Sequence, residues 1–188
     1  MDAITKLQQK AVEDCYASVD SDQIIRLAKA LTEARTTIYY GLGDSYVTAT
    51  SFAALISKIG ITCLPADLYR FQNDAAFHAT DKDLALFVTY SGDTLDMCQT
   101  QPATLRNRRC RIAVVSSRAS IAERTSGIDF PVVAPLHENK YGKVATFYSQ
   151  TCLRYVLNCV YSIASSKNYA NNLHNKDLIE MLEPGLGA

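Results

Sequence analysis

The chain has 188 residues, 48% of them hydrophobic, with 19 basic and 19 acidic residues and a formal net charge of zero. That length supports one domain with a substantial core, and the charge balance removes any electrostatic case for nucleic-acid binding by the chain as a whole. The N-terminus is polar and charged rather than an apolar signal core, and no run reaches the roughly 20 apolar residues of a membrane span, so a cytoplasmic protein without a membrane contact is expected.

In chain order, Ile4, Leu7, Ala11, Val12 and Cys15 recur at helical spacing and predict a helix over residues 2–17. Asp20 or Ser21 is placed to cap a second helix carrying Ile24, Leu27, Ala28 and Leu31. Thr36 to Tyr40 is β-branched and aromatic, and reads as the first strand. It runs into Gly41-Leu42-Gly43-Asp44-Ser45, followed by a helix from Tyr46 to Lys58. Ile61 to Leu64 is a second strand stopped by Pro65, and Phe71 to His78 a short helix. Leu84 to Val88 is a third strand, entering Thr89-Tyr90-Ser91-Gly92-Asp93-Thr94 and a helix from Leu95 to about Asn107.

Arg111 to Val115 forms a fourth strand, followed by Ser116, Ser117, Ser120 and a short helix. Phe130 to Val133 is a fifth strand whose Pro131 suggests a sheet edge. Residues 134–143 are a polar loop, residues 144–164 a long helix, and the tail from Ser165 an extension. Strands alternating with helices imply a three-layer α/β/α sandwich on a five-stranded parallel sheet, doubly wound and flavodoxin-like. The expected organisation is N-terminal helices over 1–35, packing on the core or a partner, then a binding domain over 36–166 and a tail over 167–188.

The six cysteines contain no C-x-x-C pair, which argues for reduced, core-packing thiols rather than a metal or redox centre. No metal or cofactor is expected. Arg106, Arg108, Arg109 and Arg111 read as the solvated end of a helix, where cations are favourable.

Two loops share one grammar. Each follows a buried strand, precedes a helix, and combines glycine with hydroxyls. In an open parallel sheet, ligands bind at the carboxyl ends of the strands. A helix start there offers free N–H groups and a partial positive charge, which suits an anion such as phosphate. Serine, threonine and glycine are also ordinary helix caps, but two such loops one strand–helix unit apart point to a shared anionic ligand. A dinucleotide fingerprint fits less well. Gly41-x-Gly43 is present, but Tyr46 stands where the third glycine would be, and Asp67 is only a loose counterpart of the ribose-binding acid.

With these loops in place, the stretch from Ile24 to Ala164 resembles a SIS domain, the sugar isomerase fold. The resemblance implies a phosphorylated sugar as ligand. It assigns phosphate contacts to Ser45 in the first loop and to Thr89, Ser91 and Thr94 in the second, with Gly43, Asp44, Tyr90 and Gly92 as the loop backbone beside them. Ser116, Ser117 and Ser120 resemble the place where the family completes its sugar pocket. The lead-in helix and the long last helix make the chain most similar to the sugar-sensing domain of RpiR-type transcriptional regulators. About 35 residues precede the first strand, too few for a helix-turn-helix domain plus the lead-in helix, so no direct DNA contact is expected of this chain. A homodimer or higher homo-oligomer is expected. The alternative is an aldose–ketose phosphosugar isomerase, whose base would be His137 or Glu138, with Lys140 and Lys143 nearby.

Overall fold

A computed structural model describes residues 2–66, 69–98, 100–117, 127–137, 146–167 and 169–182. Asp67, Ser120, Glu138, Lys140 and Lys143 lie outside the described residues, as does the short helix expected after the fourth strand. The elements run α1 (Asp2–Ser18), α2 (Ser21–Glu33), β1 (Thr37–Tyr40), α3 (Asp44–Ser57), β2 (Cys63–Pro65), α4 (Tyr69–His78) and β3 (Leu84–Val88). They continue α5 (Asp93–Met97), α6 (Gln101–Asn107), β4 (Arg111–Ser116), β5 (Phe130–Val133), α7 (Phe147–Ser166) and α8 (Tyr169–Leu182).

The sheet is five-stranded, ordered β2-β1-β3-β4-β5, and every pairing is parallel. Both prolines in strands, Pro65 and Pro131, fall on the two edge strands, where a missing N–H costs least. Side chains alternate across the pleat and so divide the core in two. Tyr39, Leu84, Leu86, Val88, Ala113 and Val115 face one side, packed with residues of α2, α3 and α7. Ile38, Tyr40, Ala85, Phe87, Ile112 and Val114 face the other, against Ala76 of α4 and Leu105 of α6. The three-layer parallel α/β arrangement is thus present, with helices on both faces of the sheet.

Outside the first face, α1 lies on α7 and buries Ala11 and Cys15. At the start of α2, Asp20 is the cap, its carboxylate accepting the Asp22 N–H at 2.9 Å.

Pro65, read in the sequence as the stop of the second strand, is instead the last residue of β2, and two further segments differ from the sequence reading. The helix expected over 95–107 is two helices, α5 and α6. Pro102 is the cause: it fits only the first turn of a helix, so a new helix must start just before it. The tail expected as an extension forms α8 over Tyr169–Leu182, with Asn172 donating to the Ser165 carbonyl at 2.9 Å. No helix among the described residues is long and apolar enough to cross a membrane. The six cysteines are free thiols, and Cys15, Cys98, Cys110 and Cys152 are buried.

Candidate functional site

The chain turns from β1 toward β2 on one side and from β3 toward β4 on the other, so the strand order reverses between β1 and β3. Their register pairs Tyr40 with Phe87. The loops that follow them therefore leave the same edge of the sheet and diverge, opening the crevice in which doubly wound sheets bind ligands.

The first loop is built by close approach. A Cβ on Gly41 would lie 2.7 Å from the Tyr46 Cα, so the strand exit runs directly against the start of α3. Gly43, at φ 52° and ψ −127°, holds a conformation that side chains strain to adopt. The Ser45 N–H then closes on the Leu42 carbonyl at 3.1 Å, and α3 begins. Gly43 supplies no side-chain cap, and the Asp44 carboxylate instead accepts a hydrogen bond from the Thr146 hydroxyl at the start of α7.

The second loop is braced from within and below. Thr89 is buried, and its Oγ1 accepts the N–H groups of Gly92 (3.0 Å) and Thr94 (3.3 Å). Thr94 is also buried, its hydroxyl directed at the Val88 carbonyl at 3.5 Å. Behind them the Tyr90 carbonyl accepts the Ser116 hydroxyl (3.3 Å), the Ser117 hydroxyl (2.5 Å) and the Ser117 N–H (3.2 Å). The Tyr90 hydroxyl donates to the Pro135 carbonyl at 2.9 Å and accepts the His137 N–H at 3.3 Å.

A cavity of about 200 Å³ lies between these loops and α7. Four of the residues singled out in the sequence line it: Asp44, Ser45, Tyr90 and Ser91. Thr89, Thr94, Ser116 and Ser117 do not. They are buried around the second loop and hold its shape. His137 is exposed and lies outside the cavity lining, its ring centroid 5.0 Å from that of Tyr148. The Tyr148 hydroxyl in turn donates to Asp14 of α1 at 2.6 Å, which helps hold that carboxyl below its ordinary pKa.

The wall absent from the sequence reading is the start of α7. Thr146, Ser149, Gln150 and Leu153 complete the lining, with Leu42 and Asp93 from the loops. Gln150 Nε2 donates to Thr146 Oγ1 at 3.1 Å, so Asp44, Thr146 and Gln150 form one hydrogen-bonded line across the cavity. The sequence did hold a signal, since Thr146, Ser149 and Gln150 sit at i, i+3 and i+4 on one helix face. Nothing local told that this face closes the crevice. Beside Leu42 and Leu153, the lining side chains are hydroxyls, an amide and two carboxylates. That set can donate to an oxyanion through Ser45, Ser91 and the start of a 14-residue helix, and can accept hydroxyl protons through Asp44 and Asp93, whereas the Ser149 hydroxyl donates to the Thr146 carbonyl at 3.1 Å. No group of three or more His, Cys, Asp or Glu residues placed to hold a metal occurs among the described residues.

Comparison with known families decides the lineage, because the SIS domain family profile matches residues 30–158. The chain belongs to the SIS domain family. Among curated proteins it is similar to the isomerizing glutamine–fructose-6-phosphate aminotransferase of Methanocaldococcus jannaschii, 25% identical over 151 residues. That match covers 80% of this chain but 14% of the aminotransferase. Two solved structures show the same SIS fold. The NanR protein of Vibrio vulnificus, complexed with ManNAc-6P, superposes with a TM-score of 0.84 at 14% identity, covering 100% of this chain and 70% of that one. The sugar isomerase domain of an RpiR transcription factor from Sphaerobacter thermophilus gives a TM-score of 0.77 at 15% identity, covering 95% and 97%.

Proposed function

We propose that this SIS domain binds a phosphorylated sugar in the cavity between the β1 and β3 loops and α7, as the effector-sensing part of an RpiR-type regulator or as a stand-alone binding protein. The observation that carries the reading is the convergence of Ser45 and Ser91, from two separate loops, on one cavity at the reversal of strand order. The fold shared with NanR, whose complex holds ManNAc-6P, supports the ligand class, and the fold shared with an RpiR domain supports the sensing role. In this reading Ser45 and Ser91 contact the phosphate, Gly43, Gly92 and Tyr90 shape the loops, and Thr89, Thr94, Ser116 and Ser117 hold the second loop in place. Residues 36–166 are the binding unit, residues 1–35 pack on it, and the working form is a homodimer in the cytoplasm.

Calorimetry with a panel of hexose 6-phosphates and with inorganic phosphate tests it. Each hydroxyl meeting a charged group contributes about 1.5–3 kcal/mol, so Ser45→Ala and Ser91→Ala should each weaken binding by roughly 10- to 100-fold. Affinity unchanged in both variants would refute the site.

The isomerizing aminotransferase among the relatives supports a second reading, aldose–ketose isomerisation with His137 or Glu138 as base. Incubation with the bound sugar phosphate in heavy water separates the two. Label at the carbon beside the carbonyl, lost in His137→Ala or Glu138→Gln, would establish an enzyme. Tight binding without exchange would establish a sensor.

A further inference from the structure

The side chain of Asp44 does not cap the helix that it begins. An aspartate in the first turn of a helix commonly serves as a charge partner of the helix dipole or as a cap. Here the cap position is Gly43, there is no side-chain cap, and the carboxylate is turned across the cavity to the Thr146 hydroxyl. Gln150 stands behind Thr146 and donates to the same hydroxyl oxygen at 3.1 Å. This arrangement fixes a negative charge in the wall of a cavity whose neighbouring residue, Ser45, faces the same space. Such a charge is unfavourable for an anionic ligand, so its position must be tolerated by where the ligand carries its own charges.

We propose that Asp44 is a specificity-determining residue: it accepts hydrogen bonds from hydroxyl or ammonium groups on the sugar and rejects phosphorylated sugars that bear a second anionic group. The proposal rests on the phosphosugar reading of this site. An ionised carboxylate only accepts hydrogen bonds. A sugar hydroxyl or ammonium satisfies it, and an ammonium adds charge attraction. A sugar carboxylate offers no proton and adds like-charge repulsion, the element by which sites exclude a wrong ligand rather than merely preferring a right one. Thr146 and Gln150 keep Asp44 pointed into the cavity, so its charge is held in place before the ligand arrives. Asp93, the second carboxylate in the lining, adds to the same preference.

The test is calorimetry with glucose 6-phosphate, glucosamine 6-phosphate and 6-phosphogluconate on the wild type, Asp44→Asn and Asp44→Ser. Circular dichroism confirms that each variant is folded, and the serine variant keeps a helix-compatible residue if the asparagine variant is not. The wild type should bind the first two probes at least about tenfold more tightly than 6-phosphogluconate. Either neutral variant should shrink that ratio by roughly tenfold, with the glucosamine 6-phosphate affinity falling most. A ratio unchanged within about twofold in a folded variant that still binds glucose 6-phosphate would overturn the role of Asp44 and leave the phosphosugar site standing. Failure of the wild type to bind any of the three probes would remove the phosphosugar reading itself, and this inference with it.

Discussion

The hydroxyl oxygen of Thr89 accepts the N–H of Gly92 at 3.0 Å, and the same oxygen accepts the N–H of Thr94 at 3.3 Å. A residue that resembles a ligand contact in the sequence therefore works as the internal cap of the second loop, 2% exposed to solvent. Its loss would leave two buried donors without an acceptor, each costing about 1–3 kcal/mol. Thr89→Val should accordingly destabilise the protein by about 2 kcal/mol or more and weaken sugar-phosphate binding through displacement of Ser91. Thr89→Ser keeps the oxygen and should be close to neutral. Urea unfolding of the three proteins, followed by calorimetry, gives the comparison. A valine variant as stable as the wild type would show that the loop does not depend on this oxygen.

The two glycines of the first loop should fail for different reasons. Around Gly43 an added Cβ meets nothing within 4 Å, so Gly43→Ala is penalised only by its backbone at φ 52°. That strain costs on the order of 1–3 kcal/mol. At Gly41 the added Cβ would stand 2.7 Å from the Tyr46 Cα and 2.9 Å from its nitrogen, both backbone atoms that cannot swing aside. Gly41→Ala must therefore push the start of α3 away from β1 and take Asp44 and Ser45 with it. The expected result is that Gly43→Ala lowers the melting temperature with modest loss of affinity, whereas Gly41→Ala loses most of its affinity. Thermal melts and calorimetry on the pair decide it, and equal affinity losses would contradict the distinction.

The contrast between loops and α7 shows what the sequence made legible. Strand identity and order of alternation were readable because β3 and β4 are continuous apolar runs, 84–88 and 112–115, of the kind a sheet buried on both faces requires. The two loops that flank the cavity were readable because glycine and hydroxyls cluster at strand exits. Besides the helix formed by the tail, three things were not. The break between α5 and α6 turned on Pro102, which was outweighed by an otherwise helical pattern. The burial of Thr89 and Thr94 depended on which way each hydroxyl turns, and composition does not encode that. The wall formed by Thr146, Ser149 and Gln150 arises from a contact between residues about 100 positions apart, Asp44 and Thr146, which no local pattern announces.

At the amino ends of the strands, opposite the cavity, Asp83 sets a pH limit on stability. It is 2% exposed, and its carboxylate accepts Arg35 Nε at 3.1 Å and Arg35 Nη2 at 2.9 Å. It also accepts the N–H and the hydroxyl of Thr80, at 2.9 and 2.8 Å. Burial pushes its pKa upward, but the Arg35 fork and the two Thr80 donors outweigh it and hold the carboxyl below its ordinary value of 3.8. Because the folded pKa is the lower one, the contribution of this group is present in full above the unfolded value and is lost as pH falls through the folded value. The pair also ties the residue before β3 to the residues leading into β1, next to the Arg35 N–H bonded to the Lys82 carbonyl at 2.8 Å. Asp83→Asn should therefore cost about 1.5–3 kcal/mol at about pH 7, the range for hydrogen bonds to a charged group. That gap should hold down to about pH 5 and narrow steadily below the ordinary carboxylate range. Urea unfolding of wild type and variant across this interval measures the gap directly. A gap that stays constant into the acid range would mean that Asp83 is not the group whose protonation weakens the fold.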